Sequence, residues 1–137
     1  MKPILLVEDN PDDVELTMRA FARRKLANPV IVARDGEEAQ SWIGRWESGE
    51  ELPLVVLLDL KLPKVGGLEV LEDLRARPVS RLLPVVVLTT SDSDAEIRRA
   101  YELGANSYIV KPVEFEKFMS IAAQIELYWC AINRLPG

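Results

Sequence analysis

The amino-acid sequence predicts an α/β fold, in which a parallel sheet is covered by helices on both faces. Five short apolar runs recur along the chain, and stretches with helical spacing separate them. The run from Leu54 to Leu58 is apolar at every position, which is typical of a strand that is buried on both faces of a parallel sheet. Strands that alternate with helices favour right-handed crossovers and therefore a doubly wound domain of three layers.

The five predicted strands follow one another without a linker or a low-complexity tract. They lie at residues 4–7, 30–33, 54–58, 85–88 and 108–110. Polar or Gly- and Pro-containing loops precede and follow the third strand, at residues 48–53 and 61–67. Because no residues remain for a second folding unit, residues 1–137 are expected to form one domain.

The helices between the strands are predicted from capping residues and apolar spacing. Asn10 and Pro11 offer an N-cap and a first-turn proline, and Asp35 and Ser93 each open a capping box. Gly104 is expected to end the fourth helix. Apolar residues at helical spacing mark the first three helices: Val14, Met18 and Phe21; Ala39, Trp42, Ile43 and Trp46; Leu68, Leu71 and Leu74.

The last helix is expected to extend from about residue 114 to about residue 134. Such a helix would be about 30 Å long and would overhang strands of about 20 Å. Its second half nevertheless carries the apolar side chains of Tyr128, Trp129 and Ile132. Two interpretations remain open: the aromatic pair folds over the base of the domain, or the patch is exposed and supports a two-fold dimer.

Composition restricts the function. The net charge of -5 argues against general binding to nucleic acid or to an anionic membrane. No secretory signal and no apolar stretch of about 20 residues is visible, so a cytoplasmic location is expected. The sequence has no histidine and a single cysteine, Cys130, which is expected to be inert, and this argues against a zinc-type site. Oxygen ligands remain, and these suit Mg²⁺ or Ca²⁺.

Polar residues follow four predicted strands at the same edge of the sheet. Glu8 and Asp9 follow the first strand, Asp59 the third, Thr89 the fourth and Lys111 the fifth. Ligands bind outside the carboxyl ends of such strands, and converging carboxylates require a proton or a cation. The set therefore predicts metal-assisted phosphoryl chemistry, with a carboxylate nucleophile and with a hydroxyl and an ammonium holding phosphoryl oxygens.

Each of these residues also has a simpler explanation when it is considered alone. Glu8 and Asp9 could cap the first helix, Asp59 could be a loop carboxylate, Lys111 a solvated lysine and Thr89 an ordinary strand-end residue. Two rival site types fit less well. The acidic run 9–13 would repel the phosphate that a flavodoxin-like loop binds, and Lys61 stands where haloacid-type phosphatases have a second aspartate.

Together with the spacing Asp59-x-x-x-Pro63-x-x-x-Gly67, these residues resemble the receiver domain of bacterial two-component response regulators. The resemblance extends over essentially the whole chain. It implies a flavodoxin-like (βα)5 fold with strand order 2-1-3-4-5, and a signalling phosphoprotein rather than an enzyme with a separate substrate. It also implies that a phosphohistidine on a sensor histidine kinase donates the phosphoryl group to Asp59, with Mg²⁺ as cofactor.

The same resemblance implies roles for the metal ligands and for the metal-proximal loop. Asp9 and Asp59 would bind Mg²⁺ directly, Glu8 would act mainly through water, and the backbone carbonyl of Lys61 would be a further ligand. The Lys61 side chain is also in a position to screen attacking water.

Three further roles are implied on the other side of the edge. Thr89 and Lys111 would contact the phosphoryl group, and Tyr108 would swing inward on activation. A half-buried aromatic on an edge strand is also ordinary without a switching role. Receivers commonly have a cis peptide at the bond that corresponds to Lys111-Pro112, where the cis form is inexpensive.

Segments 7–13, 58–64, 88–91 and 104–108, with Tyr128-Trp129, resemble the stand-alone regulators encoded with bacterial and cyanobacterial phytochromes. This likeness implies a phytochrome-type kinase as partner. The apolar patch on the last helix separately suggests a homodimer through the fourth helix, fifth strand and fifth helix. An interaction module that keeps the fold but takes no phosphate is the alternative.

Overall fold

The computed structural model describes residues 1–136 as a five-stranded parallel sheet between two layers of helices. The strands are β1 (Ile4–Val7), β2 (Val30–Ala33), β3 (Val55–Leu58), β4 (Val85–Thr89) and β5 (Ser107–Val110). The helices are α1 (Pro11–Arg23), α2 (Gly36–Glu47), α3 (Gly67–Ala76), α4 (Asp94–Glu102) and α5 (Phe115–Ile125), followed by a π-helical segment (Glu126–Ile132). The strand order is β2-β1-β3-β4-β5, which confirms the predicted flavodoxin-like topology.

The sheet divides the core into two apolar clusters because successive strand residues point to opposite faces. Leu5 and Val7 of β1 face one cluster, which α2, α3 and the single buried residue of α4, Ala100, complete. Ile4 and Leu6 face the other cluster, which α1 and α5 cover. The inner strands β1, β3 and β4 are buried along their whole length, as the uniformly apolar runs predicted.

The predicted caps begin three helices where expected. The Asn10 side chain accepts hydrogen bonds from the amides of Asp12 and Asp13, at 2.9 and 3.3 Å. The Asp35 side chain accepts from the Glu38 amide at 2.7 Å, and Ser93 caps α4 in the same way. These bonds satisfy amides that have no partner within the helix, so each boundary is encoded locally.

Two helix faces differ from the prediction. Met18 is 39% exposed, and Thr17 is buried in its place. On α3, Leu68 is only partly buried, whereas Val70 is fully buried. In both helices the spacing identified the correct side, but the rotation of the helix on the sheet decided which neighbouring residue turned inward.

The last helical stretch differs from the predicted continuous α-helix, because it widens into the π-helical segment at Glu126. Trp129 packs against the cluster beneath α1 and α5, whereas Tyr128 and Ile132 remain 48% and 56% exposed. Trp129 therefore covers part of the core while Tyr128 and Ile132 leave an apolar surface exposed, and the dimer stays a prediction. Within residues 1–136, every helix is too short or too polar to cross a membrane.

Candidate functional site

The carboxyl edge of the sheet gathers the polar residues that follow the strands. Glu8, Asp59, Thr89 and Lys111 are at most 8% exposed there, while Asp9 is exposed. Carboxylate oxygens of Glu8, Asp9 and Asp59 all lie within 4.8 Å of one another. Parallel pairing of β1 with β3 sets this distance, since Val7 stands opposite Leu58 and the acidic residues come next.

The backbone beneath Asp59 is held by a close approach of α3 to the end of β3. The Gly67 amide donates to the Leu60 carbonyl at 2.9 Å. A β-carbon at Gly67 would lie 2.2 Å from the Asp59 carbonyl oxygen, so only glycine fits at this position. The start of α3 is thereby held against the backbone of Asp59 and Leu60.

The two oxygens of the Asp59 carboxylate have different surroundings. Oδ1 accepts from the amides of Leu60 and Lys61, at 2.7 and 3.4 Å. Oδ2 lies 3.4 Å from Nζ of Lys111. The backbone therefore orients the carboxylate through one oxygen and leaves the other facing the ammonium group.

Lys111 brings three carboxylates together. Its ammonium group forms a hydrogen-bonded ion pair with Glu8, lies 3.0 Å from Oδ2 of Asp13, and lies 3.4 Å from Oδ2 of Asp59. The lysine side chain is only 5% exposed. Asp13 was not among the predicted site residues, although the cap at Asn10 is a signal that turns the start of α1 toward this edge.

Burial and charge shift the acid–base behaviour of the buried pair. Burial raises the pKa of Glu8 to about 7, against the hydrogen bond from Lys111, and the charge of Asp59 contributes to the rise. Burial alone would lower the pKa of Lys111. Its hydrogen bond to Glu8 and the charges of Asp59 and Glu8 outweigh burial and raise that pKa above its ordinary value.

The donor set fits a hard divalent cation. One ammonium group faces Glu8, Asp13 and Asp59, and Asp9 adds a fourth carboxylate at the rim. Mg²⁺ prefers oxygen ligands and needs only one or two carboxylates with water. The chain offers no histidine here and its single cysteine lies elsewhere, so softer nitrogen and sulfur ligation is absent from this site.

Thr89 and Tyr108 meet through the loop after β4. Thr89 is fully buried, and its hydroxyl oxygen lies 3.5 Å from the Ser91 amide, at the limit of a hydrogen bond. The Tyr108 hydroxyl donates to the Ser91 carbonyl at 2.9 Å, and burial raises the pKa of Tyr108. The Ser91 hydroxyl donates to the carboxylate of Glu96 on α4. One loop thus connects the edge of the sheet with a surface helix.

The prediction of a cis peptide before Pro112 is wrong, since no peptide bond among residues 1–136 is cis. A trans bond before proline is favoured by about 0.5–1 kcal/mol unless packing imposes the other isomer. Lys111 already contacts Glu8 with the trans bond. Tyr128, Trp129 and Ile132 lie on the π-helical segment and are not part of this edge. The Lys61 side chain is exposed beside it.

Comparison with known proteins yields one family. The sequence model described as the response regulator receiver domain matches residues 4–123. The chain is 47% identical over 135 residues to the probable methanogenesis regulatory protein FilR2 of Methanothrix harundinacea, which covers 98% of this chain and 87% of that protein. It is 35% identical over 139 residues to the response regulator Rcp1 of Synechocystis, covering 99% and 94% of the two chains.

Solved structures give the same result. The phosphorylated cyanobacterial phytochrome response regulator RcpA has a TM-score of 0.92 and 36% identity, with 99% of each chain covered. The Mn²⁺-bound form of Rcp1 has a TM-score of 0.91 and 34% identity, with 100% of each chain covered. These likenesses extend over the whole domain.

Proposed function

The chain belongs to the response regulator receiver domain family, and from this premise we propose that Asp59 accepts a phosphoryl group from a phosphohistidine on a partner sensor kinase. A receiver domain is a signalling protein of two-component systems. The observation that carries the proposal is the unequal environment of the Asp59 oxygens. The backbone amides hold Oδ1, and Oδ2 faces the ammonium group of Lys111.

The transfer is a single displacement at phosphorus. A lone pair on Asp59 Oδ2 forms the new O–P bond while the N–P bond of the phosphohistidine breaks, and its electron pair returns to the imidazole nitrogen. The product is an acyl phosphate on Asp59. Lys111 lies close enough to Oδ2 to contact the terminal phosphoryl oxygens. Thr89 ends the neighbouring strand β4, and its hydroxyl is the second proposed contact to the phosphoryl group.

We assign Mg²⁺ to Glu8, Asp9 and Asp59. Asp9 and Asp59 would hold the cation directly, Glu8 would act through water, and the Lys61 carbonyl would be a further protein ligand. When bound, the cation neutralises charge on the phosphoryl oxygens. The Mn²⁺-bound form of Rcp1 supports a divalent cation in this family, and the clustered oxygens support it here.

The proposed switch runs from Thr89 to Tyr108 and α4. Phosphorylation adds negative charge and acceptor oxygens at the edge, which favour the Thr89 hydroxyl as a donor. Thr89 and Tyr108 both contact Ser91, whose side chain contacts Glu96. A movement of this loop therefore changes the surface that α4 presents to a partner.

We propose a phytochrome-type histidine kinase as the donor, because RcpA is a phytochrome response regulator and is similar over 99% of its length. The relative FilR2 is named for methanogenesis instead, so a transfer assay must compare a phytochrome kinase with a kinase that is not a phytochrome. The expected result is faster labelling of this chain by a phosphorylated phytochrome kinase than by an unrelated kinase. Equal or slower labelling by the phytochrome kinase contradicts the assignment.

The proposed homodimer uses α4, β5 and α5. An open groove of about 490 Å³ runs beside β5, lined by apolar residues that include Ile109, Ile121, Tyr128 and Trp129. Ile132 is exposed nearby on the π-helical segment. Light scattering at micromolar concentration is expected to give a dimer that Trp129→Glu converts to a monomer. A monomeric wild type, unchanged by this substitution, is the contrary outcome.

Acetyl phosphate tests the phosphoacceptor directly. Wild-type protein incubated with acetyl phosphate and Mg²⁺ is expected to gain the mass of one phosphoryl group, and the gain should disappear with EDTA. Asp59→Asn should abolish it, whereas Asp73→Asn, a carboxylate on α3 paired with Arg77, should not. No gain in the wild type would leave the interaction-module alternative. A gain that survives Asp59→Asn would place the phosphoryl group on another residue, and either result contradicts the proposal.

A further inference from the structure

The contact between Lys111 and Asp13 is not explained by the metal ligands or by the phosphoacceptor. Asp13 Oδ2 lies 3.0 Å from the Lys111 ammonium, closer than the 3.4 Å that separates the ammonium from Asp59. The two residues are 98 positions apart in sequence. Asp13 is absent from the clustered carboxylates that could share a cation, which are Glu8, Asp9 and Asp59.

Asp13 is fixed where it stands by its own backbone. Its amide donates to the Asn10 side chain at 3.3 Å, which forms part of the N-cap of α1. Its carbonyl accepts from the buried Thr17 hydroxyl at 2.8 Å. A carboxylate in the first helical turn is also favoured by the helix dipole. The first turn of α1, in which the amide and the carbonyl of Asp13 are both hydrogen-bonded, therefore places the Asp13 side chain beside Lys111.

The geometry of an ammonium group indicates what this contact does. Lysine has three N–H donors, and three carboxylates surround them here. Glu8 and Asp13 engage two donors, and the third is left for Asp59. When a phosphoryl group forms on Oδ2, that oxygen becomes a weaker acceptor and the terminal phosphoryl oxygens take its place. Glu8 and Asp13 can keep their contacts throughout.

We propose that Asp13 is a positioning residue that, with Glu8, aims the Lys111 ammonium group at the phosphoryl oxygens on Asp59. The inference rests on the proposed function. An exposed ion pair of this kind would contribute little to stability. Here the lysine is 5% exposed and the aspartate 28%, so the contact lies at the mouth of the site and restrains a buried cation.

The neighbouring Asp12 provides a matched control. It lies in the same helical turn and carries the same charge, but it is exposed, and its amide rather than its side chain makes the capping contact. Asp13→Asn keeps an acceptor oxygen and loses the charge, while Asp13→Ala loses both. Asp12→Asn and Asp12→Ala remove the same groups away from the ammonium.

The first measurement is the rate of phosphorylation by acetyl phosphate in saturating Mg²⁺. We expect Asp13→Ala to be about five- to tenfold slower than wild type, with Asp13→Asn between them and both Asp12 variants near wild type. Equal rates in Asp13→Ala and Asp12→Ala, or faster phosphorylation of Asp13→Ala, overturn the inference. An unphosphorylated wild type overturns the proposed function and this inference together.

The second measurement asks whether Asp13 acts through Lys111. In a Lys111→Met background, which keeps a long apolar stem and removes the ammonium, Asp13→Asn should cause no further loss of rate. A further loss by the same factor would mean that Asp13 acts independently of the lysine, and would overturn the inference. If Lys111→Met does not fold, the comparison of Asp13 with Asp12 decides by itself.

Discussion

A cationic side chain lies beside each end of β5, partly buried at the start and buried at the end, and the oxygens around the two cations differ. Before the strand begins, the Arg75 guanidinium donates to the Gly104 carbonyl at 2.8 and 3.0 Å and to the Leu83 carbonyl at 2.8 Å. It also donates to the Asn106 side chain at 3.0 Å. After the strand ends, the partners of the Lys111 ammonium group within residues 1–136 are the carboxylates of Glu8, Asp13 and Asp59.

This difference separates a structural cation from a functional one. The acceptors around Arg75 are neutral carbonyl and amide oxygens, and the guanidinium group satisfies their hydrogen bonds within the chain. Around Lys111 the carboxylates outnumber the ammonium, which leaves negative charge that a divalent cation can neutralise. The contribution of Arg75 to the stability of the fold is therefore expected to be the same with and without a bound divalent cation. The contribution of Lys111 is expected to change when the cation or the phosphoryl group is bound.

The largest expected effect is that of Arg75→Met on stability. The substitution strands the carbonyls of Leu83 and Gly104 and should lower the free energy of unfolding by about 3 kcal/mol. Urea denaturation with and without Mg²⁺ measures this, and the loss should be the same in both. Arg98→Met, at an exposed position on α4, is the control. If Mg²⁺ restored the stability that Arg75→Met loses, the distinction between a structural cation and a ligand-dependent cation at the two ends of β5 would be wrong.

At the carboxyl edge of the sheet, Gly67→Ala should disrupt the close packing of the start of α3 against the backbone of Asp59. The new β-carbon would meet the Asp59 carbonyl, so we expect a loss of about 2–3 kcal/mol and slower phosphorylation. Gly44→Ala is the matched control, since within residues 1–136 nothing beyond the local backbone of α2 lies within 4 Å of a β-carbon there. In the middle of α2 it should stabilise by about 0.5–1 kcal/mol. Thermal melts that rank the two variants equally would contradict this reading.

Lys111→Met tests the ligand-dependent cation. Without metal the variant should lose about 1–2 kcal/mol, because buried carboxylates are left without their donor. Mg²⁺ should then raise its melting temperature more than it raises that of the wild type, since the cation meets less positive charge. Calorimetry in EDTA and in Mg²⁺ measures both shifts. A smaller Mg²⁺ shift in the variant than in the wild type would show that the lysine does not compete with the metal.

The last prediction concerns neither cation but Cys130, which is half-buried and packs against apolar neighbours. Burial and the charge of Glu126 raise its thiol pKa to about 11. The thiolate is the reactive form, so alkylation by iodoacetamide at pH 8 should be about a hundredfold slower than for the denatured chain. The rate should increase as pH rises toward the pKa. It is the only cysteine, which makes mass spectrometry unambiguous. Equal rates in the folded and denatured chains would contradict burial.

Local signals in the sequence determined the elements and the place of the site. The runs at 4–7 and 30–33 are strands with those bounds, and the caps at Asn10, Asp35 and Ser93 begin helices. Hydrophobic period and capping chemistry depend on residues a few positions apart, so the chain encodes them locally. The convergence at one edge also followed, because parallel strands end on the same side.

Only the tertiary structure decided which side chains meet across elements. The contact of Asp13 with Lys111, the carbonyls around Arg75, the exposure of Met18 and the widening of the last helix at Glu126 were not predicted. Each depends on how a helix is rotated and placed on the sheet. Periodicity identifies the buried side of a helix, but neighbouring residues about 100° apart compete for the inward position, and packing against the sheet chooses between them.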